Sequence, residues 1–249
     1  MSILPEQMRS FTSDVKIMNY KNWVGVMAVA LCATANAALY NSGFANNGAI
    51  PDGNVTGWSD TRTLSGLNSQ ISDLTINLQI SGGFNGDLYG YLSHNNVLIP
   101  LVNRVGVNAG NAFGYSDSGL NVTLSDGGVN GDIHFYGNVS GFATKISNGS
   151  GFTADGRNID PASSPSSFDS GSRSTFASTF GGMDPNGTWT LFFADMSGGG
   201  GTSTLSSWDL EITAVPEPTN IALGCFAFLF VSVQCVRWWK RKAQSVIAA

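Results

Sequence analysis

Asp73-Leu-Thr-Ile-Asn-Leu-Gln-Ile80 is the most regular stretch of the 249-residue chain. Every even-numbered residue in it is leucine or isoleucine, and every odd-numbered residue is polar. Successive side chains of a β-strand point to opposite faces, so this alternation is typical of a strand with one buried face. We therefore predict a strand here, with its four aliphatic side chains in a core.

Two later stretches, residues 188–193 and 207–212, have the same alternation. Their inward-facing residues are predicted to be Trp189, Leu191, Phe193, Trp208, Leu210 and Ile212. Shorter candidate strands lie at residues 87–93, 97–102, 120–124 and 132–136. Sequences that favour turns, such as Asp126-Gly-Gly128 and Pro185-Asn-Gly187, separate these candidates.

Helical periodicity over about ten residues is missing between residues 38 and 214. Residues 138–182 are poor in apolar periodicity, so we expect a long loop there with one strand near residues 175–180. Many short strands separated by turns predict an all-β fold. The expected architecture is an antiparallel β-sandwich of the jelly-roll or galactose-binding-like type.

The N-terminal region has the pattern of a secretory signal peptide. Lys16 and Lys21 precede the apolar residues 23–32, and the small-x-small sequence Ala35-Asn-Ala37 follows. A charged segment, an apolar segment and a small-residue cleavage site are the three parts of such a signal. Residues 1–37 are therefore predicted to be removed by cleavage after Ala37, and Met18 is an alternative start.

A second apolar segment lies near the C-terminus, after Val215-Pro216-Glu217-Pro218. Residues 219–236 carry no charge, and Trp238 and Trp239 follow them. A helix of about 18 residues comes close to the thickness of a bilayer core, at about 1.5 Å per residue. The alternative is a buried core helix, which a following block of like charges disfavours. The basic residues that predict a cytoplasmic C-terminus are Arg237, Lys240, Arg241 and Lys242.

These C-terminal features together resemble the PEP-CTERM sorting signal of Gram-negative bacteria. Val215-Pro-Glu-Pro218, the apolar helix and the basic cluster occur in the order of that signal, over residues 215–242. Gln234 and the tail of residues 243–249 depart from the pattern. The resemblance implies transient residence in the inner membrane and processing near Pro-Glu-Pro by an exosortase-type membrane enzyme. It also implies a final location at the outer surface or outside the cell, in exopolysaccharide and biofilm systems.

The positions of the cysteines and the charge balance of the exported part restrict the chemistry and the partners that it can have. Cys32, Cys225 and Cys235 all fall in the two targeting segments, so the exported part, residues 38–214, has neither disulfide nor thiol nucleophile. Between residues 38 and 215 the sequence has 5 basic residues and 14 acidic ones. This acidic balance disfavours nucleic acid as a partner.

Several of the predicted strands together resemble the P domain, or Homo B domain, of subtilisin-like proprotein convertases. The most specific parts are Asn186-Gly-Thr-Trp-Thr-Leu191 and Ser207-Trp-Asp-Leu-Glu-Ile212, after Gly86-Asp-Leu88 and residues 120–126. The resemblance spans about residues 56–213 and implies a jelly roll. Because the sequence has no convertase catalytic domain, only the fold is expected to carry over.

No short catalytic motif stands out in the exported part. His94 lies in a turn and His134 in a candidate strand, and neither neighbours a nucleophile motif. Glu211, the one glutamate of the domain, is expected on an outward strand face. We therefore predict that the chain is not an enzyme, and that its role is structural or adhesive.

Calcium is the cofactor for which the sequence offers candidate ligands. Ca²⁺ is bound by six to eight oxygen atoms, often from aspartates in flexible loops. The alternative for each aspartate is a turn residue whose carboxylate accepts local backbone N–H groups. The candidate calcium ligands are Asp87, Asp117, Asp126, Asp132 and Asp195.

Extracellular polysaccharide is the other candidate partner. Four tyrosines could stack on sugar rings, and the alternative for each is packing in the core or at its rim. A row of aromatic residues on one exposed face would favour a carbohydrate-binding module, and a deep cleft with two carboxylates a secreted hydrolase. The tyrosines concerned are Tyr89, Tyr91, Tyr115 and Tyr136.

Overall fold

The computed structural model describes residues 37–38, 44–67, 70–142, 146–215 and 218–247. The chain divides into two compact units, one spanning Ala35–Ala222 and one that includes the C-terminal helix from Leu223 onward. Residues 1–36 of the predicted signal peptide, including Ala35, lie outside the described residues, as do Pro216 and Glu217. Ala37, the last residue before the predicted cut, lies in the first strand.

The first unit is built from two β-sheets. Within the described ranges its strands are β1 (Ala37–Ala38), β2 (Phe44–Ile50), β3 (Trp58–Leu64), β4 (Gln70–Ser81), β5 (Leu88–His94), β6 (Val97–Asn103), β7 (Leu120–Ser125), β8 (Ile146–Phe152), β9 (Gly187–Asp195) and β10 (Ser203–Val215). One sheet has the order β1-β10-β4-β7-β8, with β2 also paired to β10, and the other has the order β3-β9-β5-β6. The pairs are antiparallel except for β7 and β8.

The core lies between the inner faces of the two sheets. The strand predicted at residues 73–80 is confirmed as part of β4, and its four aliphatic residues are buried. Trp189 on β9 and Trp208 on β10 are also buried, as their alternating neighbours predicted. The prediction of a two-sheet, sandwich-like β-fold is therefore confirmed at that level.

Three local predictions were wrong. Residues 132–136 do not form a strand but the start of a 3-10 helix (Ile133–Asn138), because the Asp132 side chain accepts the His134 N–H at 3.0 Å. The strand predicted near residues 175–180 is the helix α1 (Phe176–Phe180), which starts with a capping box between Thr175 and Ser178. The predicted long loop contains β8, which keeps only two buried apolar side chains, Ile146 and Phe152.

Four loops meet at one end of the sandwich. They connect β2 to β3, β4 to β5, β6 to β7 and β9 to β10, and backbone contacts such as Gly86 N–H to Tyr115 O, at 2.8 Å, join them. Strand β10 begins at this end with Ser203 and runs to Val215 at the opposite end. The chain therefore leaves the β-unit toward its C-terminus at the end opposite the four loops.

The C-terminal helix α2 (Pro218–Ile247) follows β10 closely. Its segment Ala222–Arg241 has a mean hydropathy of 1.5 and is long and apolar enough to cross a membrane. The side chains described in it are largely exposed, including the predicted basic residues Arg237, Lys240 and Arg241. The helix also includes Lys242, whose side chain lies outside the described set. A buried core helix, the alternative to a membrane span, would not leave these apolar side chains in solvent.

Candidate functional site

Asp126, one of the candidate calcium ligands, has a local structural role. Its two carboxylate oxygens accept the backbone N–H groups of Phe176 and Ala177, each at 2.8 Å. These groups lie at the start of α1, where backbone N–H groups lack partners within the helix. The carboxylate therefore joins the turn after β7 to the start of α1.

Asp117 and Asp132 are also occupied, in two separate places. The Asp117 carboxylate accepts the Tyr136 hydroxyl at 2.5 Å, and Asn85 Nδ2 donates to the same hydroxyl oxygen at 3.0 Å. Burial, and then this bond to Asp117, raise the pKa of Tyr136, which keeps the phenol protonated. Asp132 forms ion pairs with Arg157 at 2.8 Å and with Arg173 at 3.3 Å.

Asp87 and Asp195, in contrast, are brought together at the four-loop end. Strand β5 pairs with β9 so that Leu88 lies opposite Asp195, and the Met196 N–H donates to the Asp87 carbonyl at 2.8 Å. Both side chains are buried, and among the residues that the structure describes Asp195 Oδ2 has no hydrogen-bond partner. The other Asp195 oxygen accepts the Ser197 N–H at 3.1 Å.

The pKa values of this pair reflect burial and neighbouring charges. Burial, and then the charge of Asp195, raise the pKa of Asp87 to about 6, against a smaller opposite effect of Arg104. Burial also raises the pKa of Asp195, against backbone hydrogen bonds from Ser197 and Gly53 that lower it, and the Asp52 carboxylate adds to the rise. The charge of Arg104 lowers the pKa of both carboxyls. Within the described part of the chain, the buried Nε of Arg104 has no hydrogen-bond partner.

A small hard cation suits this pair of carboxylates. The unpartnered Asp195 oxygen and the protonation-prone Asp87 carboxyl are oxygen donors that Ca²⁺ would keep ionised. Among the residues that the structure describes, no group of three or more metal-binding side chains is close enough to form a complete cage. The remaining oxygens of such a site would therefore have to come from the backbone and from water.

Both histidines are buried in hydrogen-bonded positions. His94 stacks on Trp189 with ring centroids 4.1 Å apart, and its nitrogens lie 3.0 and 2.8 Å from the carbonyls of Thr188 and Asp184. His134 Nδ1 lies 2.7 Å from Asp155 Oδ2, and its Nε2 lies 2.8 Å from the Val107 carbonyl. The predicted turn and strand positions gave no sign of these partners.

The Asp155 carboxylate is the centre of a buried polar network that the sequence analysis missed. It accepts Arg157 Nη1 at 3.0 Å and the Asn103 N–H at 3.1 Å, in addition to its contact with His134. Asp132 is the second acid that pairs with Arg157. No local pattern marks Asp155, because its partners come from three separate segments of the chain.

Two of the four candidate tyrosines are on an accessible face. Tyr136 is buried, and Tyr115 packs against it with ring centroids 4.5 Å apart. Tyr89 and Tyr91 are half-buried on β5, and Tyr91 stacks on Phe192 of β9 at 4.9 Å with an interplanar angle of 21°. Tyr89, Tyr91 and Phe192 form what we call the aromatic row. Phe192 was not among the predicted residues, although the strand predicted at residues 188–193 already turns it outward.

No family model and no curated protein matches the chain. Two solved structures of the serine protease of Aeromonas sobria do. The complex of that protease with its chaperone matches with a TM-score of 0.37 and 13% identity over 71% of this chain. The protease by itself matches with a TM-score of 0.36 and 12% identity over 69% of this chain. This chain spans about a quarter of the length of each, 26%.

The prediction that the chain is not an enzyme is corrected by this finding, because both matched structures are of a serine protease. That prediction rests on the lack of a short catalytic motif. Catalytic groups that are far apart in sequence meet only in the folded protein and leave no such motif. The prediction is therefore withdrawn.

Proposed function

We propose that this chain is an exported protein with a structural or adhesive role at the cell surface or in the extracellular matrix, and that its C-terminal segment is a sorting signal. The observation that carries the proposal is the exposed apolar helix Ala222–Arg241, which follows a compact, acidic β-unit. An exposed apolar surface of this length is suited to lipid rather than to water.

The charges near the end of the helix support one orientation. Arg237, Lys240 and Arg241 follow the apolar segment, and basic residues are retained on the cytoplasmic side of a membrane helix. The β-unit precedes the helix and would then lie on the opposite side of the inner membrane. The absence of cysteine from residues 38–214 suits such a compartment, because no free thiol is exposed to oxidation.

The end of β10 supports a processing site in the segment that follows. The strand pairs with β4 up to Val215 opposite Gln70, and Pro216 comes next. Proline has no backbone N–H to donate, so Pro216 and Pro218 disfavour further strand pairing by their sequence alone. We infer that an exosortase-type enzyme recognises this segment and processes it there.

Replacing Pro216, Glu217 and Pro218 together by alanine is expected to leave the protein uncut in the inner membrane of its host. Membrane fractionation and the mass of any released protein measure this. Pro165→Ala, at the start of a 3-10 helix in the β-unit, is the matched control and is expected to be sorted normally. Release of the triple variant at the wild-type mass would contradict the sorting proposal.

A calcium ion held by Asp87 and Asp195 is the second part of the proposal. It is supported by the unpartnered, buried Asp195 oxygen and by the raised pKa of Asp87. A ligand that binds only the folded state at about a hundred times its Kd stabilises it by about 2.7 kcal/mol. At pH 7, millimolar Ca²⁺ is therefore expected to raise the melting temperature by several degrees relative to chelator.

The pH dependence of this effect follows from the Asp87 carboxyl. Its pKa is about 6 in the folded protein against an ordinary value of 3.8, so between these values the folded state holds a proton that the unfolded state has lost. Without metal, stability therefore falls as pH rises through this window. Ca²⁺ requires the ionised form, so its stabilising effect is expected to be smaller at pH 5 than at pH 7.

Asp87→Asn and Asp195→Asn are expected to abolish the calcium-dependent rise in melting temperature. Asp126→Asn is the matched control, because that carboxylate binds the start of α1 and not the pair. It is expected to lower the melting temperature equally with calcium and with chelator. Equal melting temperatures of the wild type in calcium and chelator would remove calcium from the proposal.

A further inference from the structure

On strands β3, β9 and β5, the outer face of the second sheet is made of hydroxyl and aromatic side chains, and β6 adds Leu98 and Pro100 at its edge. Along β3, β9 and β5, residues that are exposed or half-buried alternate with residues whose side chains enter the core or its rim. The outward residues are Ser59, Thr61, Thr63, Tyr89, Tyr91, Ser93, Thr188, Thr190 and Phe192. We call this set the hydroxyl-aromatic face.

The strand register aligns these side chains into rows that cross the sheet. Ser59 lies opposite Phe192, which lies opposite Tyr91, and Tyr91 lies opposite Pro100 on β6. The next row contains Thr61, Thr190 and Ser93, and the first two of these share a hydrogen bond of 3.1 Å between their hydroxyls. Phe192 and Tyr91 are therefore flanked by hydroxyl groups that can donate and accept.

The aromatic row provides a shallow platform in the middle of this face. Tyr91 and Phe192 stack at 4.9 Å, and Tyr89 lies 5.9 Å from Tyr91 at an interplanar angle of 55°. Burial and the neighbouring Tyr91 raise the pKa of Tyr89, so its hydroxyl stays neutral.

The hydroxyl-aromatic face is also uncharged, in a β-unit that is otherwise acidic. None of its nine residues is ionised at neutral pH, whereas residues 38–215 contain 14 acidic and 5 basic residues. Without a cation on the face, a polyanionic chain would gain no ion pair and would be repelled by the rest of the surface. The interleaved hydroxyls likewise break up the contiguous apolar patch that is typical of protein–protein contacts.

We propose that the hydroxyl-aromatic face binds a neutral polysaccharide chain. The exposed parts of the stacked Tyr91 and Phe192 rings would pack against apolar C–H groups of the sugar, while Thr61, Thr190 and Ser93 would exchange hydrogen bonds with sugar hydroxyls. The inference deepens the proposed adhesive role by assigning its partner and depends on that role for its biological setting. Binding itself is independent of sorting, so the two proposals fail separately.

Affinity electrophoresis of the purified full-length chain in mild detergent tests this inference. Native gels would contain laminarin, hydroxyethylcellulose or dextran as neutral polysaccharides, and alginate as the anionic comparison. Retardation by at least one neutral polysaccharide is expected, with at least tenfold weaker affinity for Tyr91→Ala and Phe192→Ala. Tyr91→Phe keeps the ring and is expected to retain most of the binding.

Phe113→Ala is the matched control, since Phe113 is 77% exposed and lies in the β6–β7 loop away from this face. Its affinity is expected to equal that of the wild type. If the truncated variants fail to fold, Thr61→Lys tests the same face, because it places a long charged side chain near the aromatic row at an exposed position. This variant is expected to bind the neutral polysaccharide more weakly than the wild type. No retardation of the wild type by any neutral polysaccharide, retardation by alginate alone, or equal losses in Phe113→Ala would overturn the proposal.

Discussion

Trp189→Ala is expected to lower the free energy of unfolding by about 3–5 kcal/mol. The Trp189 side chain is fully buried between the sheets, stacks on His94 at 4.1 Å and meets Phe180 edge-on at 5.2 Å. Its Nε1 donates to the Pro185 carbonyl at 3.0 Å. Alanine would remove these contacts and leave a cavity that the surrounding strands cannot fill. Urea denaturation followed by circular dichroism measures the loss.

Trp208→Ala, on the facing sheet, is expected to lower the free energy of unfolding by a similar amount. The Trp208 side chain is buried and its Nε1 donates to Asp60 Oδ2 at 2.9 Å, which ties β10 to β3 across the core. Phe113→Ala is the control, because truncation of an exposed aromatic residue changes stability by only about 0.5 kcal/mol. Unfolding midpoints for both tryptophan variants that match the wild type would contradict the packing described here.

Asp155→Ala is also expected to lower the free energy of unfolding by about 3–5 kcal/mol. The Asp155 side chain is fully buried and accepts hydrogen bonds from His134, Arg157 and the Asn103 backbone. Removing it leaves the guanidinium of Arg157 to pair with Asp132 and the Nδ1 of His134 without its acceptor. The cost of an uncompensated buried charge exceeds the contribution of the original ion pair.

Asp160→Ala is the matched control for Asp155→Ala. Asp160 lies in the same segment but is exposed, and its carboxylate accepts only a local N–H, from Ala162 at 2.8 Å. Removing such a turn contact is expected to lower the free energy of unfolding by about 1 kcal/mol or less. Similar unfolding midpoints for the two variants would mean that Asp155 does not hold the network together.

The strands that could be predicted from the sequence are those whose pattern is local. β4, β9 and β10 each contain a run in which every second residue is apolar and points inward, so these inward positions follow from their own neighbours. β8 could not be predicted, because its sequence Ile146-Ser-Asn-Gly-Ser-Gly-Phe152 has apolar residues only at its ends. It is held by parallel pairing to β7, a contact between distant segments.

The same distinction applies to the candidate sites. Aspartates in loops could be recognised as oxygen donors, but only the pairing of β5 with β9 selects Asp87 and Asp195 as neighbours. The alternation of residues 188–193 turns Phe192 outward, but its stacking on Tyr91 depends on the register between two strands. The Asp155 network has no local signal at all, since its members come from the end of β6, a 3-10 helix and the chain after β8.

The intact mass of the protein that reaches the cell surface or the medium of its host tests the central proposal most directly. Export and sorting predict a species that lacks residues 1–37 and has been processed near Pro216-Glu-Pro218, so that α2 is absent. Such a species would start at Ala38 and end close to the last residue of β10, Val215. A protein that retains the mass of α2 and remains in the inner membrane would contradict the account.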